Sequence, residues 1–214
     1  MVPGESQHAH RQGDPTPPFP PPLRPHTAAR PPQVPYLVYG GDQLQPGDAP
    51  LPPLLQLPES LAILEFLADL LPEARLLPAD PIARARARFF AQMVDTKLVP
   101  AFVGVAFMGA PVEGLFAAIG ALQAMLPAEG GWVCGERWSI ADAMFMPFVM
   151  RIEVMLEQNL PTMAPGVAER ALEVLRSERF ARFQQYKKDT VARPSMMKTW
   201  DEVHSLVYHM MYSG

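Results

Sequence analysis

Residues 130–147 read GGWVCGERWSIADAMFMP, and the fold turns on this stretch. Gly130-Gly131 and Gly135 mark a tight turn, because glycine reaches backbone conformations closed to other residues. Ser139 stands three residues before Asp142, a variant capping box of the form S-x-x-D. The serine hydroxyl can accept from the Asp142 amide while the carboxylate reaches back to the Ser139 amide, near the positive end of a helix dipole. An apolar run follows, so a helix is expected from Ser139 to about Gln158, with Met144, Met146, Met150 and Met155 as packing residues. Trp138, just ahead of the cap, is placed to staple onto a residue one turn into that helix. A capping box alone is a structural device and implies no chemistry.

Helical patterning extends to either side. Downstream, helices are expected near 166–176, 178–192 and 195–210, with QYKKDT at 185–190 as a solvated helix end and Arg151 and Glu153 as surface residues. Upstream, Pro111 opens a helix carrying Leu115, Ile119, Leu122 and Met125, which Pro127 and Gly130-Gly131 break. Asp80 is a good N-cap with Pro81 at the first helical position. Ile82, Phe89, Met93 and Val94 read as the core-facing stripe of that helix, which Pro100 should end or kink. Arg84, Arg86 and Arg88 read as a solvated surface.

Further upstream, Val34–Tyr39 (VPYLVY) has the β-branched and aromatic character of a strand, and Leu54–Leu57 is a second short candidate. Pro58-Glu59-Ser60 opens a helix with Leu61, Leu64, Leu67 and Leu71 at helical spacing, stopped by Pro72. Residues 1–33 are proline-rich with few apolar side chains, and read as a disordered tail of polyproline character that could offer a motif to a proline-binding domain. The expected architecture is therefore mainly α: a tail over 1–33, a small α/β region over 34–75 and an all-α region over 76–214.

Composition narrows the function. The net charge of -4 argues against a nucleic-acid partner, which needs a basic face. Cys134 is the only cysteine, so no internal disulfide forms; in the Gly-rich turn it reads as a small packed residue rather than a nucleophile. No stretch reads as roughly 18 continuous apolar residues, and no secretory signal opens the chain, so the expectation is a soluble cytoplasmic protein without a membrane partner. His8, His10 and His26 lie in the tail without supported ligand spacing, and no metal site is expected.

Four blocks, in order over about residues 33–200, resemble the glutathione transferase family. The capped segment around Ser139-Ile140-Ala141-Asp142-Ala143 resembles its core helix. Val34-Pro35-Tyr36-Leu37-Val38 resembles its strand with a cis-proline. Glu59 to Leu67 (ESLAILEFL) resembles its E-S-x-A-I-x-x-Y-L helix, and Leu77-Pro78-Ala79-Asp80-Pro81 with Arg84-Ala85 resembles the connection to its helical domain. Arg193-Pro194-Ser195 with Thr199-Trp200 looks like fungal members.

The resemblance implies an all-α C-terminal domain after a thioredoxin-like N-terminal domain that binds glutathione. It assigns the cysteinyl part of glutathione to the backbone of Val34, beside Pro35, and the γ-glutamyl end to Glu59 and Ser60. It implies a small hydrophobic ligand or electrophile between the domains, with Phe102, Phe107 and Met108 as candidate lining, and leaves a homodimer open. The family also carries a Tyr, Ser or Cys at the end of a first strand, ahead of Val34. The 33 residues before Val34 show neither strand nor helix periodicity, so the thioredoxin-like part reads as truncated and the catalytic residue is unknown. Three activities stay open: glutathione conjugation or thiol transfer to an electrophile, ligand binding without turnover, and a scaffold lacking the catalytic strand and helix.

Overall fold

A computed structural model of the chain describes residues 35–40, 55–160 and 162–200. The tail over 1–33, Val34 and the end of the last expected helix lie outside the described residues. Strand β1 (Tyr36–Tyr39) pairs antiparallel with β2 (Leu55–Pro58), with Tyr36 opposite Pro58 and Tyr39 opposite Leu55. Helix α1 (Ser60–Leu70) packs on this sheet, where Tyr39 meets Phe66 edge-on with ring centroids 5.1 Å apart. Leu71 falls after the helix and is exposed, so the apolar stripe predicted for α1 stops one turn early, and Ala68 is its one fully buried residue. The bundle then comprises α2 (Pro81–Met93), α3 (Val99–Met108), α4 (Val112–Gln123), α5 (Ile140–Glu157), α6 (Val167–Leu175), α7 (Ala181–Val191) and the short α8 (Pro194–Thr199). The chain is mainly α, with a small thioredoxin-like part ahead of a helical bundle, as the sequence predicts.

Helix α2 starts where expected: the Asp80 carboxylate accepts from the Ala83 amide at 2.7 Å, with Pro81 at the first position. Its buried stripe differs from the predicted one. Ile82 and Phe89 are 65% and 59% exposed, while Ala87, Phe90, Ala91, Val94 and Leu98 face the core. Small Ala87 and Ala91 let α2 approach its neighbours closely, and Phe90 fills the space between them, meeting Phe145 edge-on at 5.3 Å. Arg84 and Arg88 are not merely solvated either: Arg84 donates to the Pro78 carbonyl at 2.9 Å, and Arg88 forms a two-pronged pair with Glu65 on α1.

Pro100 does not end the helix. Residues Val94–Leu98 widen into a single π turn, in which the Val99 amide reaches back to the Val94 carbonyl. The wide turn carries the helix past a residue that lacks an N–H and whose ring would crowd the preceding turn. The result is one continuous helix, Pro81–Met108, of 28 residues. By length and composition it could cross a bilayer, contrary to the sequence reading, although its Ala87–Ala106 stripe is buried in the bundle.

Helix α5 lies at the centre and packs on α1, α2, α3, α6 and α7. Ile140, Phe145, Val149, Ile152 and Met155 are fully buried along it, and it runs straight through Pro147. The predicted capping box is present between Ser139 and Asp142. Asp142 does more than cap. Fully buried, it accepts from the Ser139 amide (2.9 Å), the Ser139 hydroxyl (2.8 Å), the Val133 amide (2.8 Å) and the Tyr186 hydroxyl (2.9 Å). One carboxylate thus joins the Gly-rich turn, the start of α5 and α7. Trp138 packs edge-on against Trp132 at 4.9 Å and under the Arg193 guanidinium at 4.4 Å. Within the turn, Trp132 and Gly135 bond backbone to backbone, and Gly131 must be glycine: it has φ +76, and a Cβ would sit 2.8 Å from the Gly135 carbonyl oxygen.

Two expectations for the surface are corrected here. Tyr186 and Thr190, read as part of a solvated end, are fully buried along α7 with Phe183. Glu153 is buried as well, accepting from Arg176 (2.8 Å from Nε) and from Lys187, so it ties α5 to the chain at α6 and to α7.

The two buried carboxylates titrate in opposite senses. Burial pushes the Asp142 carboxyl up, more than its hydrogen bonds from Val133, Ser139 and Tyr186 pull it down. The folded chain therefore holds that proton longer than the unfolded chain, and the contribution from Asp142 is fullest in acid and falls as pH rises through its raised pKa. For Glu153, burial also pushes up, but hydrogen bonds from Lys187 and Arg176 outweigh it and the pKa is lowered. Its contribution is present above the ordinary value of 4.5 and is lost as pH falls through the lowered one. Replacing Asp142→Ala strands three or four buried donors and should cost about 3–5 kcal/mol in urea denaturation at neutral pH. Glu153→Gln should cost about 1–2 kcal/mol there, given the exposure of Arg176, and the deficit should shrink as the solution is acidified.

Candidate functional site

The residues singled out for binding converge at the start of α1. The Tyr36–Pro58 pair closes one end of the sheet, and Pro35 enters β1 and Glu59 leaves β2 at that end, with Ser60 next in the chain. Pro35, Glu59 and Ser60 thus lie at one end of the sheet, where α1 starts; Val34 lies outside the described residues. Glu59 is the N-cap of α1, with φ 73 and ψ 119. A positive φ is strained for a residue with a side chain and costs about 1–3 kcal/mol, so the surrounding structure has to hold it.

No side chain caps α1, and the first amide groups of a helix have no partner within it. Those amides, the dipole and the half-buried Ser60 hydroxyl together suit a carboxylate, while the exposed Glu59 carboxylate suits an ammonium. An amino acid end carries both charges within a few ångströms, and this corner has the complementary pair.

Among the candidate lining residues, Phe102 is buried and stacks edge-on against Phe148 at 5.5 Å. Phe107 is half-buried and Met108 is 76% exposed. Every residue of α3 (VPAFVGVAFM) is apolar or glycine, yet only Phe102, Val105 and Ala106 are buried. Val99, Ala101, Val103 and Phe107 are half-buried against the core, so the apolar surface that α3 leaves exposed is confined to Pro100 and Met108, the latter a side chain of the kind that lines hydrophobic sites.

Cys134 lies elsewhere. It sits half-buried in the turn before α5, with the Ser139 hydroxyl 3.8 Å and the Ala83 carbonyl 3.9 Å from its sulfur. It opens onto a cavity of about 480 Å³ lined by Ala83, Phe89, Phe90 and Met125 and by the charged Arg86. Burial pushes its thiol up, which leaves less thiolate at neutral pH. The packed role read from the sequence agrees with this setting.

A small α/β part ahead of an all-α bundle is the architecture of a glutathione transferase-like protein. Solved structures place it further. Glutathione transferase Omega 1C from Trametes versicolor is 36% identical, with a TM-score of 0.76 over 84% of this chain and 75% of that one. Omega 2S from the same fungus is 40% identical, with a TM-score of 0.75 over 83% and 76%, and was also solved in complex with 2,4-dihydroxybenzophenone. A glutathione transferase from Burkholderia graminis, with two glutathione molecules bound per subunit, is 25% identical, with a TM-score of 0.50 over 68% and 60%. No family model and no curated protein matches the chain. The chain belongs to the glutathione transferase family and is of fungal type.

The sequence did not single out Tyr186 as the partner of Asp142 or Arg88 as the partner of Glu65, although Phe180, Phe183 and Tyr186 already sit at helical spacing. A thiol-specific reagent should modify Cys134 several-fold more slowly than free cysteine at neutral pH, as its raised pKa requires, with the rate followed by mass spectrometry.

Proposed function

We propose that this protein binds glutathione, with the γ-glutamyl end held by Ser60, the first amides of α1 and Glu59, and the cysteinyl part beside Val34 and Pro35. The observation that carries the reading is the strained backbone of Glu59 at a helix start that no side chain caps. Such strain persists where a ligand-facing geometry is needed. Two glutathione molecules bound to the Burkholderia relative support it. Residues 34–75 then belong to the thioredoxin-like domain and 76–214 to the helical domain, with 1–33 a tail outside both.

A small hydrophobic electrophile, packed at the end of α3 near Phe107 and Met108, is the second substrate, and the product is its glutathione conjugate. The benzophenone bound to Omega 2S is of that hydrophobic class. A second reading, ligand binding without turnover, is favoured over thiol exchange by one feature. Cys134 is the only cysteine, its thiol is pushed up, and it sits in the turn before α5 rather than at the start of α1. Catalysis of conjugation then depends on a residue ahead of Val34 that raises the reactivity of the glutathione thiol itself.

The reading goes with a cytoplasmic location, where a lone thiol stays reduced. A homodimer through α2 would cover Ile82 and Phe89, which lie seven residues apart on one face.

Titration calorimetry with glutathione should show binding to the wild type, weakened about ten- to a hundredfold by Ser60→Ala, which removes one hydrogen bond to a charged group. No binding to the wild type would refute the reading. Turnover of a generic aromatic electrophile separates the transferase from the non-catalytic alternative.

A further inference from the structure

We infer that Arg88 is a positioning residue for glutathione, acting through Glu65 on the helix whose start forms the proposed site. The inference rests on the placement of the γ-glutamyl end at Glu59 and Ser60. Arg88 projects from α2 and donates from Nε to Glu65 Oε1 at 2.8 Å and from Nη2 to Glu65 Oε2 at 2.7 Å. This fork-on-fork geometry fixes direction as well as distance. Asp69, one helical turn after Glu65, adds its field to the same guanidinium. Arg88 thus holds α1 through both oxygens of Glu65.

The grip matters because α1 is lightly anchored. Of its eleven residues only Ala68 is buried, and its packing on α5 and on the sheet runs through half-buried side chains such as Leu61, Leu64 and Phe66. Yet the residue that opens it, Glu59, is held in a strained conformation. A helix with little buried surface can rock on its support, and a rocking α1 would carry the Ser60 hydroxyl and the first amides away from their ligand. Glu65 lies five residues beyond Ser60, about 7.5 Å along the axis, close enough for a pivot there to set the helix start. Arg88 does not touch the ligand. It fixes the direction of α1 from the bundle.

The pair is partly exposed, with side-chain accessibilities of 49% for Arg88 and 26% for Glu65, so its loss should scarcely change global stability. Its effect should appear in binding.

Calorimetric titration of glutathione into the full chain compares the wild type, Arg88→Leu and the charge swap Glu65→Arg/Arg88→Glu. Arg88→Leu should weaken binding roughly two- to fivefold with Tm within about one or two degrees of the wild type. The swap should recover at least half of that loss, and the ratio between wild type and Arg88→Leu should shrink toward one in molar salt, which screens an exposed pair. Equal affinity in wild type and Arg88→Leu overturns the inference while leaving the site intact. A loss that tracks a fall in Tm, or that the swap fails to restore, also overturns it. No binding by the wild type removes the site and the inference together.

Discussion

The Asp142 carboxylate, withdrawn from water and accepting from four donors, is the interaction on which the bundle depends. Three segments that share no hydrogen-bonded backbone meet on its two oxygens: the turn at Val133, the cap at Ser139 and the aromatic Tyr186 of α7. An apolar contact could bring these segments together but would not fix their mutual rotation. A carboxylate with two donors on each oxygen does fix it, and its burial makes any alternative arrangement expensive. Phe145 and Trp132 then pack on the Tyr186 ring, so the polar junction also organises the aromatic core.

The bundle, once set, supplies the support for a less deeply buried companion: the small sheet and α1. Burial contributes little there, and the backbone at Glu59 stores strain rather than relieving it. What stabilises α1 is borrowed from the helical part, through the edge of the core and through Arg88. The family's blocks are spread over both regions, whereas the proposed binding corner belongs to the one that leans on the bundle. The continuous Pro81–Met108 helix links them: its first half holds Glu65 through Arg88, and its second half ends on the exposed Met108.

Much of this fold is legible in the sequence because its strongest signals are local. The Ser139–Asp142 box, the Asp80-Pro81 start and the break at Gly130-Gly131 are each written within four residues, and the structure reproduces them. What is not legible depends on partners far along the chain. Tyr186 is 44 residues from Asp142, and Lys187 is 34 from Glu153, so a polar run at 185–190 reads as solvated when half of it is anchored. On α2, Phe89 outweighs Ala87 in any hydrophobic reading, yet the tight approach of helices favours alanine and leaves the larger ring outside. Pro100 misleads for a different reason: a π turn five residues wide absorbs it. For the site, the sequence supplies residue types at Pro35, Glu59 and Ser60, but only the strand pairing brings them to one end of the sheet, and only the backbone reveals the strain at Glu59.

The most direct test is to titrate glutathione into isotope-labelled protein and follow the backbone amide resonances. Binding at the start of α1 predicts that the largest shifts fall on Ser60 to Ile63 and their strand neighbour Tyr36, with the Val133–Asp142 junction unmoved. Shifts centred on the turn around Cys134, or no shift at saturating glutathione, would contradict the account.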